Sequence, residues 1–321
     1  MTAKVLVTDH LTGDLSIERG VLDPVGADLA IASATDSDTL AAEAADAVGL
    51  LVTYAQVPAS VIEAASECRV IARYGIGYDN IDTAAAARAG IVVTNVPDYC
   101  LDEVADHTMA LLLSLARQVA PASAEVRAGG WGASPAPMRR LEGQRLALVG
   151  VGGIGRRVAH RARAFGLDVV GYDPYLDPWD VDGVGRAADL EEALADADFV
   201  SLHSPLTEEN RGMIGPEAIA SMKRAPVVVN TARGGLVDLD AITRALEDGR
   251  VRGVALDVTD PEPPPPDHPL RAHPQAVLTP HIAFYSEDAQ DELLRRAAQE
   301  VANAIEGREP DRPVNLAEPR A

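Results

Sequence analysis

The sequence predicts a two-domain α/β protein in which each domain is built on a mostly parallel sheet. Its 321 residues are long for one domain and comfortable for two. Short apolar segments alternate with helical segments along most of the chain, and a glycine-rich turn follows one apolar segment near the middle. Strands that alternate with helices favour a parallel sheet covered on both faces.

The first part of the chain contains four predicted strands bounded by Gly, Asp or Pro. Their sequences are KVLVTD (4–9), VGLLVT (48–53), RVIARYG (69–75) and IVVTNV (91–96). The alanine-rich segments 38–46 and 58–66 have helical composition and lie between these strands.

A longer helix is predicted over residues 102–120, with Asp102 as its N-cap and Pro121 preventing its continuation. The segment 121–143 follows; it is rich in Gly, Pro and Ala, carries Trp131 and is predicted to be irregular. In a compact protein, so long an irregular segment is usually functional or an arm that packs on another chain.

A second series of predicted strands begins after this segment. It comprises residues 145–152, 168–173, 198–204, 226–232, 253–258 and 276–282. Helical stretches such as 156–165 and 238–249 separate these strands, and a last helix is predicted at about 287–306.

Composition restricts the partners and the compartment. The formal net charge of −21 argues against a nucleic acid or an anionic membrane surface as a partner. No stretch approaches the roughly 20 apolar residues that span a bilayer. The two cysteines, Cys68 and Cys100, suggest neither a disulfide framework nor a metal cluster, so we expect a cytoplasmic protein without a metal site.

The sequence VGVGGIGRRVA (149–159) places Gly150, Gly152 and Gly155 in G-x-G-x-x-G spacing between a strand and a helix. The first glycine allows a tight turn, the second lets the backbone approach a pyrophosphate, and the third lets the helix pack closely on the strand. The amides of Gly153 and Ile154 belong to the helix N-terminus, which favours an anion. This context predicts a dinucleotide-binding turn.

The next strand ends at Asp173, near the position where an acidic residue binds the ribose hydroxyls of NAD and repels a 2′-phosphate. No basic residue stands beside Asp173. NAD is therefore predicted in preference to NADP, the alternative being that Asp173 is a turn residue before Pro174.

Three later strands each deliver a chemically active side chain. Arg233 follows one strand, Asp257 and Glu262 follow the next, and His281 follows the last. Because ligands bind at the carboxyl ends of parallel strands, an arginine, an acid and a histidine should converge beside the cofactor. The alternatives are a surface arginine, a linker glutamate in PEPPPPDHP (261–269) and a core histidine.

At this point the chain resembles the D-isomer-specific 2-hydroxyacid dehydrogenases over nearly its whole length. The resemblance rests on ARYGIGYDNID (72–82), DEVADHTMALLLSLAR (102–117), VGVGGIGRRVA, SLHSPLTEENRGMI (201–214), NTARGGLVD (230–238), ALDVTDPEP (255–263) and LTPHIA (278–283) in the family's order. Within the family, residues 96–108 look nearest to the phosphoglycerate dehydrogenase and C-terminal binding protein-like branch. Asp106 departs from the more common glutamate, and the adjacent His107 is predicted to be structural.

The resemblance implies roles that suit the chemistry. Arg233 would hold the substrate carboxylate in a bidentate clamp and polarise its 2-oxo group. His281 would protonate the carbonyl oxygen as hydride arrives, or remove the hydroxyl proton in the reverse direction. Glu262 would hydrogen-bond the imidazole, orient it and favour its charged form.

The resemblance also implies the residues around the cofactor. Asp257 would contact the nicotinamide amide, and Ala232 would lie against the ring by analogy with the family. The other predicted contacts are Thr108, His203, Pro205, Thr207, Thr231, Arg233 and His281.

A substrate pocket is predicted in the first domain, at YGIGYDN (74–80). The amides of Gly75, Ile76 and Gly77 would bind the carboxylate, unless this is an ordinary strand-to-helix turn. Tyr74 and Arg73 face the region, and Arg73 would either neutralise a second anionic group or form a structural salt bridge. Further candidates for the pocket wall are Tyr54, Gln56, Phe284 and Tyr285, the alternative for the last two being that they are packing residues.

The implied architecture is discontinuous. Residues 1–101 with 287–321 would form a flavodoxin-like substrate domain, and 102–286 a dinucleotide-binding Rossmann domain, with the active site in the cleft between them. The arm 121–143 resembles the family's dimerisation segment, so a homodimer through this arm and the cofactor domain is expected.

The predicted function is the NAD-dependent interconversion of a small 2-oxo acid and its D-2-hydroxy acid. Phosphoglycerate, hydroxypyruvate or glyoxylate, and phosphonopyruvate-like acids remain open as substrates. The alternative is an NAD(H)-sensing dimeric scaffold or corepressor of the C-terminal binding protein type, in which catalysis is vestigial.

Overall fold

The computed structural model describes residues 2–10, 12–132 and 137–316. The strands are β1 (Ala3–Val7), β2 (Ala27–Ile31), β3 (Gly49–Val52), β4 (Val70–Arg73), β5 (Val92–Thr94), β6 (Arg145–Val149), β7 (Asp168–Tyr172), β8 (Gly185–Arg186), β9 (Phe199–Leu202), β10 (Val227–Asn230), β11 (Gly253–Leu256) and β12 (Ala276–Leu278). The α-helices are α1 (Ser16–Leu22), α2 (Ser37–Ala44), α3 (Ala59–Ala64), α4 (Thr83–Ala89), α5 (Leu101–Ala116), α6 (Val119–Arg127), α7 (Gly153–Ala164), α8 (Leu190–Ala195), α9 (Pro216–Ser221), α10 (Leu239–Glu247) and α11 (Glu287–Ile305).

The chain divides into two compact units. Unit 1 comprises residues 1–99 and 286–321, and unit 2 comprises residues 100–285. These boundaries lie next to the predicted positions 101/102 and 286/287. The assignment of substrate to one unit and cofactor to the other, and the cleft between them, stay predictions.

Unit 1 is a five-stranded parallel sheet in the order β2-β1-β3-β4-β5. This is the flavodoxin-like strand order of a doubly wound sheet. The central strand β3 is buried along its whole length, as its continuous apolar sequence predicts for a strand covered on both faces. One face packs against α2, α3 and α4 through residues such as Leu50, Ile62 and Ile71. Strand β2 and helices α1 and α4 were not predicted from the sequence.

The other face of the unit 1 sheet is covered by the C-terminal helix α11, which contacts α1, β3 and β4. A Cβ atom at Gly49 would lie only 2.8 Å from a Val301 methyl, so this helix packs directly on the backbone of β3. Leu293, Leu294, Ala297 and Val301 form its buried side.

Unit 2 is a seven-stranded sheet in the order β12-β11-β10-β9-β6-β7-β8, and every strand pair is parallel. Chain order reverses between β6 and β9, where doubly wound sheets bind ligands outside the carboxyl ends of their strands. Two apolar clusters cover the two faces, one with α8 to α10 and the other with α5 and α7. The parallel-sheet prediction is thereby confirmed for both units.

The helix predicted at 102–120 is wrong at both ends. Helix α5 begins at Leu101 after Cys100, and it ends before Gln118, whose left-handed backbone (φ 55°) starts a new helix, α6. Pro121 lies in the first turn of α6, where a missing N–H costs nothing because that amide has no acceptor within the helix. The predicted irregular segment 121–143 is therefore helical as far as Arg127.

Asp102 is not an N-cap; it joins an ion-pair network between α5 and α7. Arg161 contacts Asp102 at 2.9 Å and Asp106 at 2.6 Å, and Arg157 contacts Asp102 at 3.2 Å. These arginines lower the pKa of the Asp102 carboxyl below its ordinary value. Asp106 therefore takes part in the contact between α5 and α7.

Cys68 and Cys100 are both buried and do not form a disulfide with each other. Burial raises the pKa of the Cys68 thiol to about 12, so this side chain behaves as a small apolar residue. Within the described ranges, none of the helices is both long and apolar enough to cross a membrane. The cytoplasmic location stays a prediction.

Candidate active site

The glycine turn after β6 has the geometry of a phosphate-binding loop. Gly150 has φ +92°, and a Cβ there would meet the His203 backbone at 2.7 Å; a Cβ at Gly155 would meet the Gly150 carbonyl oxygen at 2.4 Å. At Gly152, by contrast, a Cβ would meet no atom within 4 Å. Helix α7 begins there without a side-chain cap hydrogen bond, and the first amides of such a helix, here including those of Gly153 and Ile154, favour an anion.

Asp173 lies at the end of the adjacent strand β7. Its carboxylate accepts hydrogen bonds from the Val151 amide at 2.9 Å and the Tyr175 amide at 3.0 Å. A carboxylate has about four acceptor positions, so two donors leave room for ribose hydroxyls. The side chain is therefore tied to the glycine turn that precedes α7.

Arg233 follows β10, and its turn is fixed by a residue that the sequence analysis overlooked. The buried Asn230 donates from Nδ2 to the Arg233 carbonyl at 2.8 Å and accepts the Ala232 amide on Oδ1 at 3.0 Å. The guanidinium of Arg233 donates to the Ala232 carbonyl at 2.8 Å. An asparagine as the last residue of a buried strand, directly before TARGG (231–235), was the available signal.

His281 and Glu262 meet, as predicted from the strand ends. Their Nδ1 and Oε1 atoms lie 2.8 Å apart, with both side chains partly exposed. His281 has a left-handed backbone (φ 53°), an uncommon conformation for a non-glycine residue and one that clusters at functional sites. The Phe284 ring packs edge-on against the imidazole at 6.3 Å.

Asp257 anchors the loop that carries His281. Its buried carboxylate accepts the Thr279 hydroxyl at 2.6 Å and the amides of Ile282 at 3.0 Å and Ala283 at 2.9 Å. The Asp257 carbonyl also accepts the His281 amide at 2.8 Å. The residue predicted to contact nicotinamide therefore also fixes the backbone on both sides of the histidine.

His107 supports the same loop from α5. Its Nε2 lies 3.1 Å from the Thr279 hydroxyl and 3.6 Å from Asp257 Oδ1. The imidazole thus joins the long helix to the His281 loop, in keeping with the predicted structural role. Thr279 was missed by the sequence analysis although it lies within LTPHIA.

The other predicted cofactor residues lie at the same edge of the unit 2 sheet. The hydroxyls of Thr108 and Thr231 are buried and 2.8 Å apart. Pro205 and Thr207 belong to a turn closed by Asn210, which accepts the Thr207 amide at 2.8 Å and donates to the Pro205 carbonyl at 2.8 Å.

His203 is not a proton donor at neutral pH. Burial lowers the pKa of its imidazole to about 3, and the ring contacts the Ser201 hydroxyl at 2.9 Å. The backbone of His203 packs against Gly150. This packing restricts the backbone of the glycine turn.

In unit 1, Asp9 organises the predicted pocket residue Tyr54. The Asp9 carboxylate accepts the amides of Thr53 at 3.0 Å and Tyr54 at 2.6 Å, and the Tyr54 side chain remains exposed. Gln56 is also exposed. Asp9 is a further residue that the sequence analysis read only as the end of a strand.

Arg73 and Tyr74 lie differently from a simple pocket wall. Tyr74 is only 2% exposed and its hydroxyl contacts the buried Glu18 of unit 1, so its side chain does not form a pocket wall. Arg73 donates to the Tyr74 carbonyl, and its guanidinium fills the space that a Cβ at Gly75 would need. Arg73 is therefore engaged by its own loop.

The amides predicted to bind the carboxylate are not equivalent. Gly75 donates its amide to the Arg73 carbonyl at 2.9 Å, which removes it from the set. The Ile76 carbonyl accepts the Asn95 side chain at 2.6 Å, which fixes the peptide that precedes Gly77. Within the described ranges, the amides of Ile76 and Gly77 remain for a ligand.

The chain is similar to known proteins over most of its length. Residues 109–283 match the family model described as D-isomer specific 2-hydroxyacid dehydrogenase, NAD binding domain. D-3-phosphoglycerate dehydrogenase of Methanocaldococcus jannaschii is 39% identical over 98% of this chain and 59% of its own length. Glyoxylate reductase of Korarchaeum cryptofilum is 40% identical over 81% of this chain and 80% of its own length.

A crystal structure of the TT0316 protein from Thermus thermophilus has a TM-score of 0.88 and 40% identity, with 97% of this chain and 99% of that chain covered. The chain belongs to the D-isomer specific 2-hydroxyacid dehydrogenases, an oxidoreductase family with an NAD-binding domain. The predicted family and fold are thereby confirmed. The chain spans 59% of the M. jannaschii relative.

Proposed function

We propose that this protein is an NAD-dependent dehydrogenase that interconverts a small 2-oxo acid and its D-2-hydroxy acid. The observation that carries the proposal is the 2.8 Å contact between His281 and Glu262 on a loop anchored by Asp257, with Arg233 held at the end of β10. An acid–base pair and a carboxylate-binding arginine at the carboxyl edge of a dinucleotide-binding sheet suit this reaction.

The cofactor fits the residues present. The open space at Gly152 and the uncapped start of α7 suit a pyrophosphate, and Asp173 suits a ribose without a 2′-phosphate. The bound NADH supplies the hydride. We propose NAD in preference to NADP, because the Asp173 carboxylate would repel the 2′-phosphate of NADP. Bringing the two anions together would also cost both of them hydration.

The chain's own residues handle the substrate and the proton. Arg233 binds the substrate carboxylate and polarises the 2-oxo group. His281 donates a proton from Nε2 to the carbonyl oxygen, while Glu262 contacts Nδ1 and fixes the orientation of the ring. Asp257 and Thr279 hold the loop so that the imidazole stays in place.

We place a substrate with a single anionic group first, glyoxylate or hydroxypyruvate. Arg73, the residue considered for a second anion, donates to the Tyr74 carbonyl and packs on Gly75. Phosphohydroxypyruvate and phosphonopyruvate follow as alternatives.

The test is NADH oxidation by the purified chain with glyoxylate, hydroxypyruvate, phosphohydroxypyruvate, phosphonopyruvate and pyruvate. His281→Ala should lower kcat roughly 100-fold or more, the range of general acid–base catalysis. Arg233→Ala should lower kcat/KM roughly 100-fold, because it removes two charge-assisted hydrogen bonds. His160→Ala and Arg244→Ala are matched controls, since both residues are exposed on helices of unit 2.

Turnover that is unchanged in both site variants would refute the assigned roles. No turnover with any acid, combined with tight NADH binding, would instead favour the NAD(H)-sensing scaffold of the C-terminal binding protein type.

We also propose a homodimer formed through unit 2 and the arm 121–143. Helix α6 has no buried residue, and Val119, Val126, Trp131 and Met138 are exposed apolar side chains, with Trp131 at 91%. Exposed apolar side chains clustered in one segment indicate a protein interface. Light scattering should give a dimer for the wild type, and Trp131→Ser with Val126→Ser should shift the population toward monomer; residues 133–136 of the arm lie outside the described residues.

A further inference from the structure

The carboxylate of Glu18 is fully buried in unit 1 and has no role in the proposed reaction. Glu18 is in the first turn of α1 and is 0% exposed; with Leu22 it forms the buried side of this helix. An enclosed carboxylate is costly unless hydrogen bonds compensate for its lost hydration. Its partners should therefore show what it does.

Glu18 holds two donors on one oxygen. His10 Nε2 and the Tyr74 hydroxyl each lie 2.8 Å from Glu18 Oε1. His10 Nδ1 accepts the Gly13 amide at 3.0 Å, which places the imidazole proton on Nε2, toward Glu18. The second oxygen, Oε2, is buried without a hydrogen-bond partner among the described residues.

Tyr74 is held in place as a hydrogen-bond donor. Burial, and then the adjacent Glu18 charge, raise the pKa of the phenol well above its ordinary value of 10. The His10 and Tyr74 rings meet edge to face at 6.0 Å. Neither ring has freedom to reorient while the carboxylate accepts from both.

Tyr74 is the first residue of the loop that is proposed to bind the substrate carboxylate. The Tyr74 amide donates to the Val52 carbonyl at 2.8 Å, so its backbone continues the sheet, and the chain then turns through Gly75 to the amides of Ile76 and Gly77. The contact of the Tyr74 hydroxyl with Glu18 therefore acts at the residue where this turn begins.

The same segment also reaches the neighbouring loop. Asp9, adjacent to His10, accepts the amides of Thr53 and Tyr54 after β3. Residues 9 and 10, which follow β1, thus tie together the loops that leave β3 and β4, whose strands neighbour each other in the sheet.

We propose that Glu18 is a positioning residue for substrate binding: with His10 as its second donor, it fastens the Tyr74 hydroxyl and so holds the loop Tyr74–Gly77 in the conformation that presents the Ile76 and Gly77 amides to a carboxylate. This inference rests on the proposed dehydrogenase function. Glu18 acts through Tyr74 and does not touch the substrate.

The experiment combines steady-state kinetics with amide hydrogen exchange on the full chain. Tyr74→Phe removes only the hydroxyl, and Glu18→Leu removes the acceptor. Each should raise KM for the best 2-oxo acid about tenfold, as for a lost hydrogen bond to a charged group, with kcat and the NADH KM nearly unchanged. The double variant should be no worse than the worse single variant, because both act through one contact.

Exchange provides a readout that does not need turnover. Peptides covering residues 74–80 should exchange at least about tenfold faster in Tyr74→Phe, whereas unit 2 peptides should keep their rates. Arg88→Ala is the control, since it truncates an exposed side chain on α4 of the same unit outside the predicted pocket. Glu18→Gln keeps an acceptor at Oε1 and should restore most of the protection lost in Glu18→Leu.

Unchanged exchange at 74–80 in Tyr74→Phe would overturn the positioning role whatever the activity. Faster exchange in Tyr74→Phe, together with a wild type that turns over no 2-oxo acid, would refute only the dehydrogenase. Additive effects in the double variant would show that Glu18 and Tyr74 act separately, which also contradicts the proposal.

Discussion

The glycine turn offers a sharp test, because two glycines in it differ in what an added methyl group would meet. At Gly155 a Cβ would lie 2.4 Å from the Gly150 carbonyl oxygen, which is backbone and cannot rotate away. Overpacking of this kind costs about 1–3 kcal/mol. At roughly 2–4 °C per kcal/mol for a unit of this size, Gly155→Ala should lower the Tm by about 2–12 °C.

Gly152→Ala should behave in the opposite way. No atom lies within 4 Å of the added Cβ, and the backbone at φ −75° suits alanine. The free energy of unfolding of Gly152→Ala should differ from the wild-type value by less than about 1 kcal/mol, the cost of replacing glycine at an N-cap. The methyl group would nevertheless occupy the space assigned to the pyrophosphate, so the Kd for NADH should rise at least about tenfold.

The assay is a thermal melt of each variant without cofactor, followed by fluorescence titration with NADH. Gly185→Ala, in the edge strand β8 of the same unit, controls for a general effect of added methyl groups, since the nearest atom to its Cβ would lie 3.7 Å away. Wild-type NADH affinity in Gly152→Ala would refute the assignment of this turn to the dinucleotide, and an unchanged Tm in Gly155→Ala would contradict the close packing of α7.

Other perturbations probe neighbouring features. Asp173→Ser should raise the ratio of NADPH to NADH kcat/KM at least about tenfold, because it removes the charge that repels a 2′-phosphate; an unchanged ratio counts against the ribose role. Thr279→Val should lower kcat about tenfold with little change in NADH affinity, since Asp257 loses a donor that fixes the His281 loop; kinetics like the wild type would exclude this support. Burial raises the pKa of Glu300 above its ordinary 4.5, so its stabilising contribution is present below pH 4.5 and is lost as pH rises through the raised value. The Tm of Glu300→Gln relative to wild type should therefore increase with pH above 4.5, and a difference independent of pH would show that Glu300 does not titrate in this way.

The sequence predicted the residues whose position follows from strand direction. Arg233, Glu262 and His281 each stand just after a strand of unit 2, and parallel strands bring such residues to one edge of the sheet. For the same reason Asp173 could be placed beside the glycine turn. The spacing of apolar residues and the order of the strands along the chain are therefore enough to predict these positions.

Side-chain direction and long-range contacts were not predictable in this way. Tyr74 lies in a motif that suggested a pocket wall, yet its ring turns inward because Glu18, far away in the sequence, accepts its hydroxyl. Pro121 was taken as a helix stop, although a proline is tolerated in a first turn and Gln118 makes the break. The short strand β2 was not predicted because its sequence lacks a sustained alternation of apolar and polar residues. Its pairing with β1, a tertiary contact, stabilises it instead.

The position of α11 has a consequence for synthesis on the ribosome. The strands β3 and β4 emerge early, but the helix that covers one face of them is translated only after all of unit 2. Unit 2 is continuous in sequence and can fold as it leaves the exit tunnel, whereas the nascent unit 1 must wait with an apolar face uncovered. A chain that ends before residue 287 would contain a folded unit 2 and a unit 1 without α11. Chaperones and proteases can distinguish its uncovered apolar face from that of a chain that contains α11.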